Sequence, residues 1–160
     1  PVDPNDKPCE IFCATGGAIM MRRGVYENIG LYDESFFINN EDTDWAIRAA
    51  GAGYRTLYLP DSRVFHKRSP TEKKLPDFML YYIQRNYELA ALKNIPWQLW
   101  LLHGPRHIAY SAYQFGKWAI KGKAEILLDA KLDALKIALE DGRKPTVLSN
   151  IKSKLGKFKL

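Results

Sequence analysis

The chain has 160 residues, 46% hydrophobic and 12% aromatic, enough for one domain with a core and too apolar for a disordered segment. Its net charge is +6, yet all 18 acidic residues lie at or before Asp141, and Arg143, Lys144, Lys152, Lys154, Lys157 and Lys159 beyond it carry the whole excess. A neutral body with a basic tail and no reader motif argues against a nucleic-acid partner. No apolar run reaches the roughly 18 residues of a membrane span.

In chain order, Pro1 to Pro8 reads as a polar, turn-rich lead-in rather than a signal peptide. Ile11 to Ala14 predicts a short buried strand. Thr15-Gly16-Gly17 breaks it before the apolar run Ala18 to Met21. On an extended segment Cys9 and Cys13 face one side with Cα atoms well over ~7 Å apart, too far for a disulfide. With no second pair there is no zinc site. They are expected to be free, structural or incidental thiols, which fit a reducing compartment.

Arg22 to Ile29 has helical character and stops at Gly30. Leu31 to Ile38 is expected to be a loop with an exposed pair, Asp33-Glu34, and a buried pair, Phe36-Phe37. Asn39 or Asn40 is the expected N-cap of a helix from about Glu41 to Ala50, closed by Gly51-Ala52-Gly53. Tyr54 to Leu59 and Arg63 to His66 read as strands, and Lys67 to Pro76 as a polar loop.

From Pro76 the pattern is helical. One helix runs to about Lys93, and a second starts at Ile95-Pro96. A third, Ala124 to Leu139, repeats Ile126, Leu127, Ala130, Ala134, Ile137 and Ala138 at threes and fours. Three regions follow: a mixed part at 1–72, a helical extension at 73–141, and a basic tail at 142–160 expected to be disordered.

The chemistry concentrates in Asn39-Asn40-Glu41-Asp42-Thr43-Asp44-Trp45, where three carboxylates lie within four residues at a helix start. One account is plain helix physics, since acids in a first turn favour the macrodipole by about 0.3–1 kcal/mol each. The other is a general base. A helix start favours the charged carboxylate, while a neighbouring acid and an apolar wall of Phe36, Phe37 and Trp45 push the other way.

Helical spacing puts Glu41 with Trp45 and Asp44 with Arg48, an (i, i+4) ion pair that leaves Asp42 without a partner in its own helix. His66 ends a strand beside Lys67-Arg68. Those cations favour the neutral, metal-binding imidazole, although a lone histidine is more often a packed or exposed residue. Gly16 and Gly17 could let backbone N–H groups approach a phosphate or sugar, or simply make a turn. Arg22, Arg23 and Arg85 could pair with phosphates or stand in solvent.

Taken in order, TGGAIMMRR and then GLYDESFFINNEDTDWAIRAAGAGYRTLYLPDSRVFH resemble the C-terminal half of a family 2 glycosyltransferase. The nearest likeness is to rhamnosyltransferase-like members that build bacterial cell-surface polysaccharides. YYIQRNYELAALKNIP resembles the segment that follows in those enzymes.

The resemblance implies an α/β fold, half of a GT-A domain with a small mixed sheet, followed by a helical extension. It implies a hexosyltransferase with a nucleotide-sugar donor, a carbohydrate or lipid-linked acceptor and an inverting single displacement. Asp42 takes the place of the catalytic base, and His66 that of the histidine that helps hold a divalent metal, magnesium or manganese. Gly16 and Gly17 match the acceptor-side loop, Trp45 walls the sugar site, and Glu41, Asp44 and Arg48 shape it. The nucleotide-binding half and its Asp-x-Asp motif have no counterpart in this sequence. The chain is therefore expected to be part of a longer enzyme, inactive and metal-free alone.

Trp97, Trp100, Tyr110, Tyr113 and Trp118 sit near Arg106, Lys117, Lys121 and Lys123, and the tail alternates basic and apolar residues. Aromatics beside cations suit a membrane interface, as does a polybasic tail. Equally, such aromatics can form a helical core. A cytoplasmic location follows, peripheral on the inner face of the plasma membrane if the helices dock there. The competing account of the whole chain is a non-catalytic interaction or membrane-associating module with a degenerate sugar site.

Overall fold

Two short strands, β1 (Cys9–Ile11) and β2 (Thr56–Tyr58), pair antiparallel with Cys9 opposite Tyr58, Glu10 opposite Leu57 and Ile11 opposite Thr56. Five helices make up most of the rest: α1 (Arg23–Ile29), α2 (Glu41–Gly51), α3 (Asp77–Asn94), α4 (Trp97–Ala119) and α5 (Ala124–Asp141). A single 3-10 turn, Glu34–Phe36, precedes α2. This computed structural model describes residues 7–65 and 76–142.

The core lies where α3 runs along α5. Leu89 and Ala90 of α3 meet Ala134 of α5, and Phe36 from the 3-10 turn closes the cluster. Ile137, Ala138 and Leu92 pack against its edge. Ala130 and Ala134 present small side chains to α3, so the two helices can approach closely, while Leu127 is fully buried. Each large apolar side chain removed from water here contributes about 1.5–3 kcal/mol.

α1 stops at Gly30 as expected, because that residue takes φ +83°, a left-handed geometry that costs glycine little. The structure departs from expectation in the apolar runs. The strand is Cys9–Ile11 rather than 11–14, and no strand forms from Ala18 to Met21 or from Ser62 to Phe65. Those runs are too short, with no neighbouring strand among the described residues to take their backbone hydrogen bonds. The expected mixed sheet is, among those residues, one antiparallel pair. His66, most of the polar loop after it and the basic tail lie outside the described residues.

Phe36 and Phe37 do not share an environment. Phe36 is fully buried, but Phe37 takes φ +59° and turns outward, 69% exposed, against Phe78 and Tyr82. Asp33, expected in solvent, is drawn into an ion pair with buried Lys93 at 2.5 Å. Lys93 also reaches Asp141 at 3.1 Å, tying the turn before α2 to the end of α5.

Candidate functional site

The acidic cluster opens α2, and the chain reaches it through strained backbone. Phe37, Asn39 and Asn40 all have positive φ (59°, 67° and 66°). Each such non-glycine residue costs about 1–2 kcal/mol. Asn40 occupies the cap position but makes no side-chain cap bond, because its left-handed geometry turns the amide away.

The strain is held by α3. Asn86, completely buried, donates from its one amide nitrogen to Phe36 O (2.7 Å), Ile38 O (2.6 Å) and Asn39 O (2.8 Å). Arg85 adds bonds to Ser35 O (2.5 Å) and Phe36 O (3.0 Å) and donates from Nε to Asn86 Oδ1. Its guanidinium also lies 4.5 Å from the Tyr82 ring centroid. Arg85 is therefore neither a solvated nor a phosphate-facing arginine but a buried brace for the loop.

α2 is anchored from below by its third acid. Asp44 is fully buried, and its Oδ2 accepts from Arg48 Nε at 2.8 Å while its Oδ1 accepts from Asn94 Nδ2 at 2.9 Å. Arg48 spends its other nitrogens on Ile29 O and Leu31 O, both at 2.7 Å. Trp45 is 5% exposed and donates its indole N–H to Gly30 O at 3.0 Å. The ion pair forms as the spacing predicts, but Asp44, Arg48 and Trp45 face the scaffold. They fix α2 against the chain after α1 and do not line an open sugar site among the described residues.

Asp42 is placed differently. It is half-buried, and no described cation pairs with it. Gly16 N–H donates to its Oδ2 at 2.6 Å, and Thr43 N–H to its Oδ1 at 2.7 Å. A Cβ on Gly16 would sit 3.5 Å from that Oδ2, an ordinary contact distance, so the glycine loop lies directly over the carboxylate. Gly17 is exposed in the same turn. The two expected partners, the glycine turn and the second acid, are thus brought together across 26 residues of sequence.

Cys13 and Tyr32 complete the surroundings. Burial pushes the Cys13 thiol up, and the Asp42 charge adds to that, against a lowering hydrogen bond with Thr43. Burial also raises the Tyr32 phenol, with Asp42 and then Glu41 contributing. Tyr32 in turn meets the Trp45 ring edge-on at 6.5 Å. Glu41 Oε2 is buried with no hydrogen-bond partner among the described residues, and so is Asn39 Nδ2. The acidic cluster therefore holds one oriented, half-buried carboxylate at Asp42 and two buried polar atoms without a described partner.

Sequence reasoning missed Asn86, Asn94, Tyr32 and the position of Cys13. The only available signal was polarity at core-facing positions of α3, where Asn86 and Asn94, with Arg85 and Lys93, stand among Leu80, Leu89, Ala90 and Ala91. Among the described residues no three His, Cys, Asp or Glu side chains converge as metal ligands. These residues do not by themselves fit a divalent cation.

No protein-family model and no solved structure matches the chain. Among curated proteins, it is 27% identical over 75 residues to the N-acetylglucosaminyl-diphospho-decaprenol L-rhamnosyltransferase of Mycobacterium tuberculosis, covering 47% of this chain and 24% of that protein. It is 29% identical over 83 residues to the dTDP-rhamnosyl transferase RfbF of Shigella flexneri, covering 47% of this chain and 28% of that protein. The chain spans about a quarter of the length of the curated relatives it matches. Over the matched part it is related to rhamnosyltransferases and is glycosyltransferase-like.

Proposed function

We propose that this chain is the acceptor side of a family 2, GT-A-type inverting glycosyltransferase, with Asp42 as the general base. The acceptor is a carbohydrate or lipid-linked hydroxyl, and the relatives' names point to a nucleotide-activated rhamnose as donor. The observation that carries this reading is Asp42 itself: a half-buried carboxylate without a described cation, aimed by the Gly16 N–H at 2.6 Å. Two backbone N–H groups and the Thr43 hydroxyl orient it, and Oδ2, with a single donor, keeps a lone pair for an incoming hydroxyl.

The acceptor oxygen attacks the anomeric carbon as the bond to the nucleotide diphosphate breaks, and the acceptor proton passes to Asp42. Fixing the carboxylate from two sides removes the freedom that would otherwise cost rate. A donor pocket has no counterpart in this sequence, so the chain by itself is proposed to be silent.

The test is Asp42→Asn in the longer enzyme that carries this segment, assayed by sugar transfer from the nucleotide-sugar donor. Loss of a general base is expected to lower kcat by about 10²–10⁴-fold. The variant should keep its circular dichroism spectrum and donor affinity. Turnover within a few-fold of wild type, or transfer by the 160-residue chain alone, contradicts the proposal.

A further inference from the structure

α4 meets the neighbouring helices through a polar cluster set beside half-buried Trp100, Phe115 and Trp118. His107 Nε2 lies 2.6 Å from Glu88 Oε2, and Ser111 bonds to both Glu88 and Lys131. Burial pushes the Glu88 carboxyl up, but its bonds from Lys131, Ser111 and His107 outweigh this and hold it below the usual range. The His107 ring stacks on Tyr87 at 5.1 Å, and only Gly104 of the whole helix is buried.

The outward side is apolar. At 100° per residue Trp97, Leu101 and Ile108 fall within one narrow arc, and Leu102 and Tyr113 widen it. All five are at least 63% exposed. Water disfavours such an arrangement, since a helix of a soluble domain turns its apolar stripe to the core. A groove of about 570 Å³, lined partly by Trp100, Ile108 and Phe115, continues the apolar surface inward.

Charge selects the occupant. The 23 residues of α4 contain no acid, and Arg106 and Lys117 border the apolar arc. A second copy of the same face would set like charges against each other. An anionic bilayer accepts both features, with aromatics at the headgroup level and cations toward the lipid phosphates. Among the described residues no helix is long and apolar enough to cross a membrane, so α4 would lie in the interface.

We infer that the outer face of α4 is a docking surface for an anionic lipid bilayer, with α4 flat in the headgroup region and the rest of the domain above it. The inference goes beyond the transferase proposal and does not depend on Asp42.

The test is co-sedimentation of the 160-residue chain with vesicles of phosphatidylcholine alone and of phosphatidylcholine mixed with phosphatidylglycerol, at low and high salt. The chain should bind the mixed vesicles, bind neutral ones weakly, and weaken with salt. The double variant Leu101→Asp, Ile108→Asp should lower partitioning on the order of a hundredfold. Leu57→Asp, on exposed β2, should leave partitioning unchanged. Thermal melts establish that both variants fold.

No binding to either vesicle overturns the inference. Undiminished binding by the double variant does so too, by assigning the lipid contact to another surface. A dimer in sedimentation velocity that the double variant abolishes, with no vesicle binding, makes the face a contact between copies instead. Failure of any of these leaves the Asp42→Asn experiment unaffected.

Discussion

Replacing Asn86 should unlock the loop that aims the acidic cluster. Its amide nitrogen carries two hydrogens shared among three carbonyls at 2.6–2.8 Å. Asn86→Ala therefore strips the amide donor from Ile38 O and Asn39 O and the acceptor from Arg85 Nε, while Phe36 O keeps Arg85 Nη2 and the Ile38 N–H. At about 1 kcal/mol, the low end for a group left unsatisfied, these three groups together cost about 3 kcal/mol. The strained residues Phe37, Asn39 and Asn40 would then have less to hold them, so part of the loss is recovered if the loop relaxes.

Against a total stability of about 5–15 kcal/mol for a domain, that is a large fraction. Urea unfolding followed by circular dichroism reads it directly. With a slope of about 1–3 kcal/mol per molar, the midpoint should fall by about 1–3 M. Asn86→Asp keeps the volume but points a carboxylate oxygen at carbonyl oxygens, so it should cost at least as much. A loss below about 1 kcal/mol for both variants would show that the loop holds its shape without the amide, and the account of the strain would be wrong.

Two further perturbations test the base of α2 and the turn before it. Arg48→Ala removes the guanidinium from the fully buried Asp44 and from the carbonyls of Ile29 and Leu31; a loss of about 3–5 kcal/mol is expected in the same unfolding assay. Arg48→Lys restores the charge but not the fork, and should recover only part of that loss. Burial raises the Asp33 carboxyl, but hydrogen bonds from Lys93 and Ser35 outweigh it and hold the group well below the usual carboxylate range. A carboxylate lowered in the folded state contributes stability that is complete above its unfolded value, about pH 4, and is lost as pH falls through the folded value. Below about pH 4 the stability of Asp33→Asn should thus fall less steeply than that of wild type; parallel curves refute the assignment.

The local parts of this fold were legible because they depend on neighbours in sequence. The helix at the acidic cluster, its Asp44–Arg48 pair and the stop at Gly30 all follow from spacings of four or fewer residues and from glycine's backbone freedom. The first and third of the C-terminal helices were legible for the same reason, through apolar repeats at threes and fours, whereas of α4 only the start after Ile95-Pro96 could be read. The errors lie where a distant partner decides. Phe36 and Phe37 look equivalent in the sequence, yet one backbone angle sends them to opposite environments. Asp33 looks like a surface acid until Lys93, 60 residues away, reaches it.

The candidate site divides along the same line. That Asp42 would have no ion-pair partner in its own helix could be read from helical geometry, although its neighbour Thr43 in that helix does bond to it. That the Gly16 N–H would orient it, and that Cys13 and Tyr32 would stand beside it, could not, because the chain must first bring residues 13–16 and 32 to the head of α2. Nor could the roles of Arg85, Asn86 and Asn94, which work across about 50 residues of sequence.

The amino-acid order alone settled which segments are helical, where most of them stop, and that carboxylates crowd one helix start. Those outcomes rest on short-range torsional preference and periodicity. Only the folded chain decided which of the three acids is sealed into the scaffold and which stands at the rim, and which side of α4 looks outward. The physical reason is desolvation: whether a charge or an apolar face is covered depends on what packs over it, and a list of neighbours along the chain does not carry that information.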